Sequence, residues 1–261
     1  MSSIISSLNR SVESALTIAE MEARKIRHDT TELWTRVVQP ALWLLVFGVT
    51  FNGIKALPTG NFSYIQFITP GILAQSVLFI AIFYGITVVW ERDVGIITKL
   101  LSTPSSRSSI VLGKSLSASL RGIFQAIMIF ALALALGVNI RLDPIDIMGV
   151  FAVVILFAMC FSSLSMLLAS FMKTRDRMMG IGQALTMPLF FASNAIYPIS
   201  VMPVWLQYIS VVNPLSYVVD AMRAMLLSGN YENLPIDIFA LLLSTTIFVG
   251  LASITIKRLL E

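Results

Sequence analysis

Long apolar runs separated by short polar gaps set the plan of this chain. A helix needs roughly 20 mostly apolar residues to cross about 30 Å of hydrocarbon. On that criterion the pattern predicts six spans: Thr35–Phe51, Ile65–Trp90, Leu120–Val138, Ile145–Met172, Met178–Tyr197 and Ile236–Ile256. Ahead of the first, Leu8, Val12, Leu16, Ala19, Ala23 and Ile26 recur every three or four residues, with Asn9, Glu13, Glu20, Arg24 and Arg27 facing away. That spacing predicts, within residues 1–33, an amphipathic helix lying flat at the membrane interface. Between spans five and six, residues 198–235 stay apolar yet carry Pro198, Pro203, Pro214 and Pro235. Asn213-Pro214 is a turn signal and Gly229-Asn230 a helix stop, with helical periodicity over Leu215–Leu227. Two short external re-entrant helices at membrane depth satisfy both features, because irregular backbone there must be buried in protein or line a cavity. The expected fold is all-α and polytopic, one membrane domain over residues 1–261.

Charge orients this plan. Fifteen of the 18 Lys and Arg fall in alternate gaps, between residues 10 and 36, 92 and 121, 173 and 177, and at 257–258. The intervening gaps hold only Lys55, Arg141 and Arg223. The positive-inside rule then places both termini in the cytoplasm. Only 12% of residues are charged, against about 25% in soluble domains, so the net charge of +4 belongs to lipid-facing ends of spans rather than to a nucleic-acid surface. A single cysteine, Cys160, excludes a disulfide framework. Arg10, Glu13 and Glu20 interrupt any cleavable signal core, which leaves targeting to the first span.

The longest cytoplasmic connection, 91–119, begins Glu91-Arg92-Asp93-Val94-Gly95. Val94, Ile97 and Leu101 fall on one helical face, and Pro104 ends the turn. A short amphipathic helix below the membrane is a shape that docks into a partner's groove. Glu91, where the span ends and this helix begins, is expected to meet a basic group or the helix's first backbone donors outside the hydrocarbon.

These residues carry a family resemblance. Glu91-Arg92-Asp93-x-Gly95, Leu100-Leu101-x-Thr103-Pro104 and Gly113-Lys114 resemble the cytoplasmic signature of type-2 ABC exporter permeases. Asn213-Pro214-Leu215-Ser216-Tyr217-x-x-Asp220-Ala221-x-Arg223 resembles the external motif of that family, most of all in its daunorubicin-resistance and nodulation-factor-exporter branch. Asp93 stands where a Glu is common, and Ile96-Ile97-Thr98-Lys99 replaces a more polar stretch. The resemblance implies a permease half-transporter: two copies, as a homodimer, form the pathway, and two separate ATPase subunits bind below. Glu91–Leu101 would be the coupling helix, with Glu91, Arg92, Asp93, Gly95, Leu100, Leu101 and Pro104 in contact. Lys173, Arg175 and Arg177 would be the second contact, and the N-terminal helix would connect to the ATPase.

Other chemistry is poorly supplied. Gly113-Lys114-Ser115 resembles the end of a phosphate-binding loop, but Ser108 stands where that loop needs glycine. ATP and magnesium therefore belong to the partner, and this chain holds no cofactor. His28 is the lone histidine, which removes two-histidine metal sites and Ser-His catalysis; no catalytic residue is assigned. The spans lack the buried carboxylates and lysines of a proton-coupled carrier. Gln75, Gln183, Met187, Phe190 and Asn194 are the candidates for a substrate pathway. Asn213, Pro214, Asp220 and Arg223 are candidates for an external gate, where Asp220 and Arg223 can pair on one helix face. The expected function is export of a drug-like, lipid or glycolipid compound across a prokaryotic plasma membrane. Polysaccharide export, or an ATP-independent six-span carrier, are the alternatives.

Overall fold

A computed structural model describes residues 12–24, 31–51, 60, 62–103 and 105–260, apart from the side chains of Glu32 and Leu260. The described residues are helices joined by turns. Helix α1 covers 12–24. Helix α2, Thr31–Leu42, continues through a π-helical stretch, Trp43–Gly48, to Phe51. Then follow α3 (Tyr64–Asp93), α4 (Ile96–Leu101), α5 (Arg107–Ala135), α6 (Pro144–Ala169) and α7 (Arg175–Phe191). The chain closes with α8 (Val204–Val212), α9 (Pro214–Arg223) and α10 (Leu234–Thr255).

Helix α3 is the axis of the molecule. Ser63 caps it, accepting from the Gln66 amide at 3.4 Å while the Gln66 side chain accepts from Ser63 N at 2.9 Å, a reciprocal box that fixes the first turn. Its apolar residues bury on nearly every side against α5, α6, α7 and α9. Small residues permit this closeness. A Cβ on Gly71 would lie 2.3 Å from the Ala195 carbonyl oxygen, and one on Gly85 would lie 2.4 Å from Ser165 Oγ. The Ser165 hydroxyl instead accepts from the Gly85 amide at 2.9 Å and donates to the Ile82 carbonyl.

Among the described residues, five helices are long and apolar enough to cross a membrane: Leu33–Phe51, α3, α5, α6 and Leu234–Leu259. The remaining predicted span, Met178–Tyr197, is a helix of 17 residues, Arg175–Phe191, followed by a turn. Ser193 Oγ donates to the Phe190 carbonyl at 2.7 Å and ends the helix six residues before Tyr197. Residues 107–119, read from the sequence as part of the cytoplasmic connection, are the first turns of α5. Those turns are amphipathic, so an apolar run alone does not reveal them. Val94 closes α3 rather than joining α4, and Gly95 (φ +76°) makes the left-handed corner between the two.

The segment between α7 and α10 folds as the proline pattern predicts, as two short helices broken at Asn213-Pro214. Asn213 caps α9 by accepting from Leu215 N at 3.0 Å, and it ties the break to α7 by donating to the Leu189 carbonyl at 2.7 Å. Helix α9 buries Leu215, Val218, Val219 and Met222, whereas α8 leaves Trp205, Tyr208 and Val212 exposed. A π turn, Ala224–Ser228, ends α9 at Gly229, whose φ of +67° matches the predicted helix stop.

Candidate functional site

At the end of the bundle that holds 91–107 and 173–177, a charge cluster is sealed inside the protein. Lys114 on α5 is fully buried. Its ammonium donates to Glu91 Oε2 on α3 and, at 3.2 Å, to Glu22 Oε1 on α1. Arg121, two turns along α5, lies 3.9 Å from Glu22 Oε2, donates to Ser117 Oγ at 3.0 Å and covers the Tyr84 ring at 5.3 Å. Two carboxylates thus face two cations, and the burial of each charge is offset by its neighbours. Gly113 lets α1 reach them: a Cβ there would lie 2.6 Å from the Ala15 carbonyl oxygen.

This geometry revises the docking expectation for Glu91 and adds two contacts. Glu91 does not lie on an outward docking surface; it is 1% exposed and holds Lys114. Helix α1 buries Ile18, Ala19 and Glu22, while Val12 and Leu16 of the expected apolar face remain exposed. The Gly113-Lys114 pair, similar to a phosphate loop in sequence, is the seat of α1. Glu22, Arg121 and Tyr84 were not singled out from the sequence. The one local signal was a carboxylate four residues after Ile18, on the face that packs.

The two predicted cytoplasmic contacts meet. Arg92 donates to the carbonyls of Met172 (2.7 Å) and Lys173 (2.8 Å), and Asp93 accepts from Arg92 at 2.9 Å and from Arg175 at 3.4 Å. Thr174 caps α7 by accepting from Arg177 N at 3.3 Å. On α4, Ile97 is buried in the chain's own core, with Leu100 and Leu101 packed beside it. The apolar face is therefore spent internally; α4 presents Thr98 and Lys99 outward, and Ser102 and Thr103 just after it are exposed. Pro104 and His28 lie outside the described residues.

At the opposite end, the Arg223 guanidinium donates to Asp220 Oδ1 (3.2 Å) and the Asn194 carbonyl (2.8 Å), and stacks 4.1 Å above the Phe67 ring. The Asn194 amide also donates to Asp220. The candidate gate residues Asp220 and Arg223 thus pair as their spacing predicts, and the pair pins α9 to the turn after α7. Nearby, Asp146 joins Arg141 at 3.5 Å and accepts from the Tyr231 hydroxyl at 2.6 Å. That hydrogen bond to a carboxylate raises the Tyr231 phenol above its ordinary range.

The five pathway candidates do not share one surface. Phe190 is buried edge-on to Trp43 at 5.9 Å, and Asn194 is committed to the Arg223 cluster. Gln183 is exposed on the outer face of α7, and Met187, one turn on, is half-buried. Gln75 is fully buried on α3, with neither amide atom hydrogen-bonded.

Comparison with known proteins agrees with the arrangement. Residues 4–227 match the family described as ABC-2 type transporter. A transport permease named ycf38 in Cyanophora paradoxa is 31% identical over 72% of this chain, and the match spans 65% of that protein, just under two thirds of its length. The daunorubicin resistance ABC transporter permease protein DrrB1 of Streptomyces coeruleorubidus is 26% identical over 77% of this chain and 70% of its own. The inner membrane transport permease YadH of Escherichia coli K12 is 25% identical over 75% of this chain and 77% of its own. With the match running over α1 to α9 and both signature segments, the chain belongs to the ABC-2 type transporter family.

Proposed function

We propose that this chain is the membrane-spanning permease subunit of an ATP-driven exporter, with two copies forming the pathway and two separate ATPase subunits below. Its cargo is an amphipathic or hydrophobic compound, drug-like or lipid, moved outward across a prokaryotic plasma membrane. The observation that carries the reading is the surface in which the end of α3, just before α4, is joined to the 173–177 turn through Arg92, Asp93 and Arg175. A push on either segment reaches the other through these bonds, and passes into α3 and α7. The sealed Glu22–Lys114–Glu91 cluster makes α1 part of the same lever. The exposed face of α7, mostly apolar with Gln183 on it, supplies a surface for a pathway between two copies. ATP and magnesium act on the partner; this chain binds, shapes and transmits.

The test is reconstitution. The chain co-expressed with a candidate ATPase subunit is placed in vesicles, and transport and ATP hydrolysis are measured together. Asp93→Arg is expected to leave hydrolysis running while transport falls at least about tenfold. Full transport by the chain without any ATPase would overturn the proposal in favour of an ATP-independent carrier.

A further inference from the structure

We infer that the cytoplasmic end of α10 forms, with the 170–173 turn, a binding site for the phosphate headgroup of an anionic phospholipid. A cavity of about 740 Å³ opens there. Its lining includes Arg92, Thr98, Phe171, Lys173, Arg258 and Leu259, three cations and no carboxylate. Arg92 is engaged by the Met172 and Lys173 carbonyls and by Asp93, so it frames the site rather than fills it. Lys173 and Arg258 are different: among the described residues neither meets a carboxylate, and Arg258 lies 4.9 Å over the Phe171 ring. A guanidinium over an aromatic ring retains N–H donors for a phosphate oxygen.

The surface above the groove selects a lipid rather than a soluble anion or an acidic protein. Ile247, Leu251 and Ile254 follow one another at helical spacing along the outer face of α10, and the stripe ends at Arg258. Leu251 is 44% and Ile254 72% exposed, so the stripe is open to an acyl chain. An acyl chain on that stripe sets its headgroup at Arg258 and Lys173. The cytoplasmic placement rests on the permease reading; the binding itself does not. Each cation near an anionic surface contributes roughly fivefold in affinity, so the pair gives a preference of at least about tenfold.

The full-length chain in detergent, titrated with phosphatidylglycerol or phosphatidylcholine and read by native mass spectrometry, tests this. It is expected to keep one phosphatidylglycerol at least about tenfold more firmly than phosphatidylcholine. Lys173→Gln with Arg258→Gln, both surface changes, should bring the two lipids within about twofold. Arg107→Gln, an exposed cation outside the groove, should leave the preference intact. Equal retention of both lipids, or an unchanged preference in the double variant, overturns the inference. So does full competition by inorganic phosphate, which marks a free-anion site. Failure of transport assays leaves this result untouched, so the two readings fail separately.

Discussion

Lys114 shows how one residue changes meaning between sequence and structure. In the chain it follows a glycine and precedes a serine; in the fold its ammonium joins Glu22 and Glu91, which lie 92 and 23 residues away. Replacing Lys114 by Met removes the cation that two buried carboxylates share, and breaking a buried ion pair costs about 3–5 kcal/mol. The expected outcome is a large drop in thermal stability in detergent. Adding Glu22→Gln and Glu91→Gln should recover most of that loss, since apolar or neutral replacement of a whole buried cluster is often tolerated. Glu91→Lys is then a folding defect first: three cations would face Glu22. Gly95 is a second case. Nothing lies within 4 Å of its would-be Cβ, but its φ is +76°, so Gly95→Ala acts through backbone strain of about 1 kcal/mol and not through crowding. The expected readout is a small stability loss with a larger loss of coupling between ATP hydrolysis and transport.

Among elements, the hydrophobic pattern was a good guide wherever one segment's own sequence decides its form. The break at Asn213-Pro214 and the stop at Gly229 are local chemistry, and both are where the residues place them. Three features were hidden. The first turns of α5 are rich in serine and carry Lys114 and Arg121, so they look like a loop until partners neutralise them. The end of α7 depends on a serine bonding back to a carbonyl, which competes with continuing helix. The packing side of α1 is set by a carboxylate with a distant partner, which amphipathic periodicity does not reveal. That last contact is testable. Gly113→Ala places a methyl against the α1 backbone and should lift α1 from its seat. In a Cys160→Ser background, Ile18→Cys is expected to resist thiol labelling, and the added Gly113→Ala to make it reactive; Cys160 itself is buried.

For the whole molecule the packing of α7 against α3 bears on whether α7 spans the membrane. The would-be Cβ of Gly85 meets Met178, that of Gly182 meets Ile82 and Phe83, and that of Gly71 meets Ala195. As numbers rise along α7 they fall along α3, so the two run antiparallel side by side. From residue 71 to residue 85 a helix rises about 21 Å, most of the roughly 30 Å hydrocarbon thickness. The 17-residue α7 and the turn to Ala195 therefore descend through nearly the depth that α3 climbs, and a long apolar helix is not required for the crossing. If α7 crosses, the crossings number six and both ends of the chain lie on one side, as the concentration of Lys and Arg in alternate gaps predicts. Reporter fusions after Ser106 and Glu261 are expected to report the cytoplasm, and one after Asn230 the outside. If α7 does not cross, Asn230 reports the cytoplasm and Glu261 the outside. That result would put Lys257, Arg258 and the proposed headgroup groove on opposite faces from Lys173, which their shared cavity forbids.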